Sequence, residues 1–296
     1  MPDRILVVGA TGALGGSVTR LLARGGPNVR ALVRDPARRR ELDRLGVDVA
    51  IGDLRDPASL AAACADVTHV ITTANSFLGK GANASSHVDL YGNRNLVDAA
   101  RGAGVERFVF VSADNATPDS TVDFFRYKAQ TEEYLRATDI DYVIIRPAAF
   151  MDVWAHIVAG NIAAKGVATV FGAGDNPINF VARDDVADFI VRIAVDPSVR
   201  SESVVVPGPE NLTLMQVVEK FEHHLGKKAK RKHVPVVAMK GLSMLLKPVQ
   251  PVAARMMGGG VLMATEPLTR DAAAVTRRFP WYKPRTLDDW LAKRNS

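Results

Sequence analysis

The first half of the chain alternates short apolar, β-branched runs with stretches whose apolar residues recur every three or four positions. Arg4–Val8 (RILVV) predicts a buried strand, and Ser17–Arg24 a helix with Val18, Leu21 and Leu22 on one face. The same reading predicts strands at Val29–Val33, Val47–Ile51, Val67–Thr72, Arg107–Val111 and Asp141–Ile145. Between them it predicts helices at Ala37–Leu45, closed by Gly46, at Pro57–Cys64, entered through Asp56 or Pro57, at Asp89–Gly102 and at Phe124–Ala137. Regular strand–helix alternation implies parallel strands joined by right-handed crossovers. The expected architecture is therefore α/β, with a doubly wound parallel sheet. Beyond Pro147 the pattern loosens. A helix is expected at Asp184–Val195, a strand at Ser203–Val206, and an amphipathic helix after Thr213 with Leu214, Val217, Val218, Phe221 and Leu225 on its apolar face. Val234–Met263 is apolar and rich in Met, Gly and Pro. We expect residues 1–150 to form the sheet core. Residues 151–296 should complete the sheet and build a smaller C-terminal lobe over the carboxyl ends of the strands.

The turn after the first strand carries chemistry. Gly9-Ala10-Thr11-Gly12-Ala13-Leu14-Gly15 leaves a strand and opens a helix with G-x-x-G-x-x-G spacing. Gly9 permits the sharp turn, Gly12 lets a pyrophosphate approach the backbone, and Gly15 lets the helix pack closely on the sheet. The helix N-terminus offers unpaired N–H groups and a positive partial charge to phosphate. This is the arrangement of a Rossmann-type dinucleotide site. The end of the second strand selects the cofactor: an acidic residue there would hold the ribose hydroxyls of NAD, an arginine the 2′-phosphate of NADP. Arg34 comes first, with Arg38 a helical turn on, so NADP(H) is expected; Asp35 then caps the next helix ahead of Pro36. Gly52-Asp53-Leu54 and Thr72-Thr73-Ala74-Asn75 follow the third and fourth strands. Asp53 is placed to accept from the adenine amino group, and the small residues of the second segment to let backbone pass beside the ribose.

Composition narrows the partners. The 296 residues are 47% hydrophobic and 24% charged, as in an ordinary globular protein. Cys64 is the single cysteine, which excludes an intramolecular disulfide and makes a cytoplasmic, reducing compartment the default. Only about six apolar residues precede Gly9, fewer than the roughly 7–15 of a signal-peptide core, and no uncharged apolar run approaches the roughly 20 residues of a membrane span. The net charge is +6, but the basic residues are dispersed except for Lys227–His233, which reads as a solvated turn after a helix ending at Gly226. No nucleic-acid motif accompanies it. Glu222, His223, His224 and His233 match no metal spacing, because adjacent histidines diverge on a helix.

Taken together, the motifs resemble the NmrA-like branch of the atypical short-chain dehydrogenase/reductases over nearly the whole chain. The resemblance is carried by the glycine turn, by Lys128 with Glu132 or Glu133, by Asp139–Pro147 and by Phe150-Met151. Later it is carried by Asn179-Phe180-Val181, Asp184–Ala187, Gly208-Pro209-Glu210 and Leu212-Thr213. It implies a bound nicotinamide cofactor and reductase activity on quinones, carbonyls or other small acceptors. It also admits redox sensors that bind the cofactor and catalyse nothing. In ordinary short-chain dehydrogenases a Tyr four residues before a Lys exchanges the proton, the Lys holds the nicotinamide ribose, and a Ser hydrogen-bonds the substrate. Here Ser112 and Lys128 stand at the serine and lysine positions, but Phe124 replaces the tyrosine, and Tyr127 faces elsewhere on the helix. Asp152, His156 and Tyr127 are the possible substitute acids. An electron-poor acceptor needs none, since the cofactor does the chemistry. The expected activity is hydride transfer from NADPH to a small hydrophobic acceptor, quinone-like or carbonyl. The alternatives are a non-catalytic NADP(H) sensor and, less favoured by the missing tyrosine, a nucleotide-sugar epimerase or dehydratase. The segment Pro147–Trp154 should roof the nicotinamide, with Phe150 and Trp154 and the apolar Val234–Met263 stretch lining a substrate pocket. The oligomeric state and the particular acceptor are left open.

Overall fold

The computed structural model describes residues 3–26 and 28–293. In chain order the strands are β1 (Arg4–Val8), β2 (Asn28–Val33), β3 (Asp48–Ile51), β4 (His69–Thr72), β5 (Arg107–Val111) and β6 (Asp141–Pro147). They continue as β7 (Ala149–Phe150), β8 (Val167–Phe171), β9 (Ile178–Val181), β10 (Glu202–Val206), β11 (Glu210–Leu212) and β12 (Lys230–Val234). The central sheet has seven strands in the order β10-β6-β5-β4-β1-β2-β3. The ladders joining β1 to β6 are all parallel. The order reverses between β1 and β4, and in an open α/β sheet that switch point makes a crevice at the carboxyl ends of the two strands.

The chain divides into two compact units. One runs up to Arg146 and includes Val186–Val204; the other comprises Pro147–Asp185 and the chain from Val205 on. In the first unit Leu6, Val8, Val70, Phe108, Phe110 and Ile144 pack against Leu60, Leu96, Val97 and Leu135 from the helices. Each such side chain removed from water contributes roughly 1.5–3 kcal/mol. Caps set the helix entries: Asp35 accepts from the Ala37 N–H and Asp56 from the Ala58 N–H, each ahead of a proline.

Two helices differ from expectation. Ala37–Leu45 is a 3₁₀ turn, Pro36–Arg38, followed by a short helix, Arg39–Asp43. The helix expected from Asp89 begins as a wide π-helical turn, Ser86–Gly92, before Asn93–Gly102 continues in α geometry. Asn93 is tied on both sides, its amide donating to the Val88 carbonyl and its oxygen accepting from Thr72 Oγ1.

The second unit contains strands that hydrophobic periodicity did not reveal. β8 pairs in parallel with β12, and β9 lies between β11 and β7. Its core gathers Met151, Val158, Ile162, Val170, Phe180, Val217, Phe221 and Trp290. Thr213 and Gln216 form a reciprocal capping box at the start of the helix Leu214–Leu225. The basic run is corrected in part. It stays solvated, with Lys227, Lys228, Lys230, Lys232 and His233 exposed, but Lys230–Val234 is a strand paired with β8 and not a turn, and the preceding residues fold back on the buried Glu222. That carboxylate accepts from the Ala229 N–H at 2.7 Å, from Arg231 at 2.6 Å and from Lys228 at 3.1 Å. Burial would raise its pKa, but these three donors outweigh burial and hold it at about 2.

Candidate active site

At the end of β1 the backbone turns through Gly9, whose φ of +85° lies in the left-handed region that favours glycine. The Gly12 N–H closes the turn on the Gly9 carbonyl at 2.9 Å. A Cβ at Gly15 would overlap that carbonyl and stand 2.5 Å from Thr73 Oγ1, so this glycine sets the approach of the helix Ala13–Gly25 to the sheet. Gly12 is different. It caps that helix with no side-chain bond to the first-turn N–H groups, and a Cβ there would meet only the Gly9 oxygen, at 3.2 Å. Thr11, Gly12 and Ala13 are exposed, and Leu14 is half-buried. An exposed helix N-terminus, whose first-turn N–H groups have no partner within the helix, fits a pyrophosphate. Thr73 seals the other side, its N–H and Oγ1 both donating to the Val8 carbonyl. Thr72 is buried and spent on Asn93.

The ends of β2 and β3 meet the turn Gly81–Asn83. Arg34 is exposed and donates to Asn83 Oδ1 at 2.8 Å. Arg55, which the sequence reading missed, donates from Nη1 to the Ala82 carbonyl at 2.9 Å and grips Asp53 side-on through Nε and Nη2. The hydrogen bond from Arg55 holds the Asp53 carboxyl below the usual range, with Arg34 adding to the effect. Asp53 is therefore a partner of Arg55 before it is an adenine acceptor. Leu54 turns its side chain into the core, and its carbonyl accepts from Asn95. Arg38, at the end of the 3₁₀ turn, pairs with Glu41 in the short helix that follows.

The helix Asp123–Arg136 carries the expected catalytic face, and its chemistry is directed inward. Lys128 is wholly buried. Its ammonium donates to the Val111 carbonyl at 3.0 Å and the Ala74 carbonyl at 3.3 Å, and faces Asp89 Oδ1 at 3.4 Å. Two of its protons thus go to carbonyls, just past β4 and at the end of β5, and Asp89 adds an ion pair. Burial lowers the Lys128 pKa and raises that of Asp89, while their attraction opposes both shifts. Ser112 does not present its hydroxyl to a substrate as expected. It donates at 2.5 Å to Oε1 of the buried Glu132, which the half-buried Arg146 and the exposed Arg136 also hold. Phe124 occupies the tyrosine position with its ring 5.7 Å from Lys128 Nζ and edge-on to Phe77. Tyr127 lies under the Arg126 guanidinium.

The remaining sites belong to the second unit. Pro147 is buried, and Phe150 is half-buried in β7, registered with Val181. Trp154 packs edge-on to Phe171 against that unit's core, so it is a packing residue at least in part. Asp152 is committed to the Arg183 N–H at 2.8 Å and is not a free acid. His156 is exposed on its helix. Among the described residues no helix is long and apolar enough to cross a membrane, and no group of three or more His, Cys, Asp or Glu could hold a metal ion.

The model of the NmrA-like family matches residues 1–291. The chain belongs to the NmrA-like family. Within reach of this family member are the NAD(P)H azoreductase of Xenophilus azovorans, 30% identical over 213 residues, which are 72% of this chain and 71% of that protein. The photosystem II assembly factor Ycf39 of Synechocystis sp. is 29% identical over 280 residues, 93% of this chain and 85% of that one. Among solved structures, the NADPH-dependent quinone oxidoreductase of Escherichia coli complexed with NADPH matches with a TM-score of 0.82 at 23% identity, covering 99% of this chain and 100% of that chain. At that identity the likeness is one of fold.

Proposed function

We propose that this chain is an NADPH-dependent oxidoreductase that delivers hydride to a small, hydrophobic, electron-poor acceptor of the quinone type. The observation that carries the reading is Phe124: a phenyl ring stands beside the Lys128 ammonium where a proton-donating tyrosine would stand. Bound NADPH supplies the hydride. Gly9, Thr11, Gly12, Ala13, Leu14 and Gly15 would hold the pyrophosphate on the helix N-terminus, and Thr73 and Ala74 would border the ribose. Arg34, with Arg55 behind it, would pair with the 2′-phosphate; the two guanidiniums share the 81–83 turn. Lys128 pins the ends of β4 and β5 and keeps a positive charge beside the site as the acceptor gains electrons. To reach a ribose hydroxyl it would release one of its two longer contacts, Ala74 or Asp89. Cofactor or substrate roles for Pro147, Phe150 and Trp154 are proposed on the family resemblance alone. The chain is assigned to the cytoplasm, where Cys64, buried and with its pKa pushed up to about 11 by that burial, stays an inert thiol.

The hydride-transfer reading draws support from the names of two similar proteins, an NAD(P)H azoreductase and an NADPH-dependent quinone oxidoreductase. The test is NADPH oxidation with a quinone and with a simple ketone, where the quinone should be the better acceptor by a wide margin. A second reading, a cofactor-binding protein without turnover, is favoured by Ser112, whose proton is spent on Glu132. Tight NADPH binding with no oxidation by any acceptor would select it.

A further inference from the structure

The second unit carries a helical hairpin, Val236–Leu246 followed by Pro251–Thr265, whose two helices pack on one another. Its inner side is ordinary core: Met239 is buried, with Met257, Val261, Met263 and Ala264 nearby in the same cluster. Its outer side is not. Val237 is 83% exposed, Met244 and Leu245 74% each, Val249 76% and Leu242 43%. These are five large apolar side chains within thirteen residues of sequence, Val237 to Val249. At roughly 100° per residue, Val237, Gly241, Met244 and Leu245 share one side of the first helix and Leu242 bounds it, an arc of about 160°. A helix apolar nearly all round is normally covered, and an exposed apolar patch of this kind marks a docking surface.

Charge says what covers it. From residue 236 to residue 265 the hairpin contains no Asp or Glu and three Lys or Arg, of which Arg255 is buried and Lys240 and Lys247 are exposed. Lys240 and Lys247, seven residues apart, lie on the same border of the apolar arc, and both are exposed. An apolar face rimmed by lysines, with no acidic residue to repel phosphate, is the composition of a helix that lies in the plane of an anionic membrane surface. The lysine stems can extend along the apolar arc and place their ammonium groups among headgroups. A two-fold pairing of this face with a second copy would instead set each copy's lysines against an equally acid-free stretch of the other.

We propose that the hairpin is a peripheral docking device: its first helix and the turn at Val249 enter the interface of a bilayer rich in anionic phospholipid, without crossing it. The inference does not depend on the proposed hydride acceptor, because it is read by sedimentation and not by turnover. The full-length protein is spun with vesicles of phosphatidylcholine alone and with vesicles containing about 30% phosphatidylglycerol, at ~0.1 M salt. Partition should favour the anionic vesicles by at least about tenfold and fall steeply as salt rises. Both Met244→Glu with Leu245→Glu and Lys240→Glu with Lys247→Glu should lose that partition by about tenfold or more. NADPH binding and Tm, measured alongside, should stay at the wild-type level, since these side chains are exposed. Equal binding to both vesicle types, no binding to either, or full binding by the variants would overturn the proposal. So would a wild-type dimer in gel filtration that the Met244→Glu, Leu245→Glu variant splits into monomers while neither protein binds vesicles, which would assign the face to a second copy.

Discussion

Lys128 Nζ and Asp89 Oδ1 face one another at 3.4 Å, both hidden from solvent, where the helix Asp123–Arg136 meets the π-helical turn Ser86–Gly92. Asp89 has its other oxygen filled by Ser85 Oγ and the Ser76 N–H, while Oδ1 has no hydrogen-bond partner beyond this ion-pair contact. Removing the lysine alone therefore strands a buried carboxylate. Lys128→Met should destabilise the fold by about 3–5 kcal/mol. Lys128→Met combined with Asp89→Asn should recover much of that loss, because both charges leave together. Chemical denaturation of the two single variants and the double variant measures the coupling. Additive losses would mean that the pair does not interact in the way its geometry indicates.

The two later glycines of the turn should respond in opposite ways. Gly12→Val adds a side chain at the exposed helix N-terminus whose Cβ meets one atom, the Gly9 carbonyl oxygen at 3.2 Å, so the protein should stay folded and lose NADPH binding. Gly15→Ala places a methyl group on the Gly9 carbonyl, an overpacking that costs about 1–3 kcal/mol, so its main effect should be a lower Tm. Thermal melts paired with NADPH titrations separate the two. A folded Gly12→Val protein with wild-type NADPH affinity would remove the pyrophosphate from this turn.

Arg34→Ala should weaken NADPH far more than NADH. A charge-assisted contact to the 2′-phosphate contributes roughly 1.5–3 kcal/mol, about a ten- to hundredfold change in Kd. Arg55→Ala should show the same preference more weakly, since that guanidinium is already held by Asp53. Titration of each variant with both cofactors is the check, and equal losses for NADPH and NADH would show that neither arginine reads the phosphate.

Glu222 makes stability depend on acid. Its pKa is held at about 2 in the fold against about 4.5 for a free glutamate, so the unfolded chain takes up the proton first. The stabilisation is complete above the unfolded value and disappears as pH falls through the folded one. Glu222→Gln should therefore cost about 1.5–3 kcal/mol at neutral pH. The gap to wild type should narrow between about pH 4.5 and pH 2. Melting curves across that range test it; a gap that stays constant would mean that the charge on Glu222 is not what holds β12.

The elements differ in how far local sequence announces them. The strand Arg4–Val8, the glycine turn and the helix behind it are readable because every constraint there is local: a β-branched run, a left-handed glycine, a helix N-terminus. β8 and β9, five and four residues long, match β1, β3 and β4 in length, but they lie outside the regular strand–helix alternation that made those readable. The run Lys227–His233 is solvated as its charge suggests, but its pairing with β8 and its fold-back onto Glu222 are contacts that charge patterning alone does not encode. Asp89 is hidden for a similar reason. It sits 39 positions before Lys128, and only the wide turn around it aims its carboxylate inward. Arg55 had a visible signal, two residues past Asp53 at a strand end, but its pairing with Asp53 needed the structure. Ser112 was placed correctly at the end of β5, while the direction of its hydroxyl depended on Glu132.

The proposed chemistry rests on a missing acid, and steady-state NADPH oxidation by wild type and Phe124→Tyr measures that most directly. Phe124→Tyr places a phenol one helical turn from Lys128 on the same face. With a quinone, wild type should turn over and the variant should remain within a few-fold of it, because that acceptor needs no proton in the hydride step. With a ketone, wild type should be nearly inactive and the variant should gain, since an acid matters there by roughly 10²–10⁴-fold. Efficient ketone reduction by wild type, or a quinone rate that rises by orders of magnitude in Phe124→Tyr, would contradict the account.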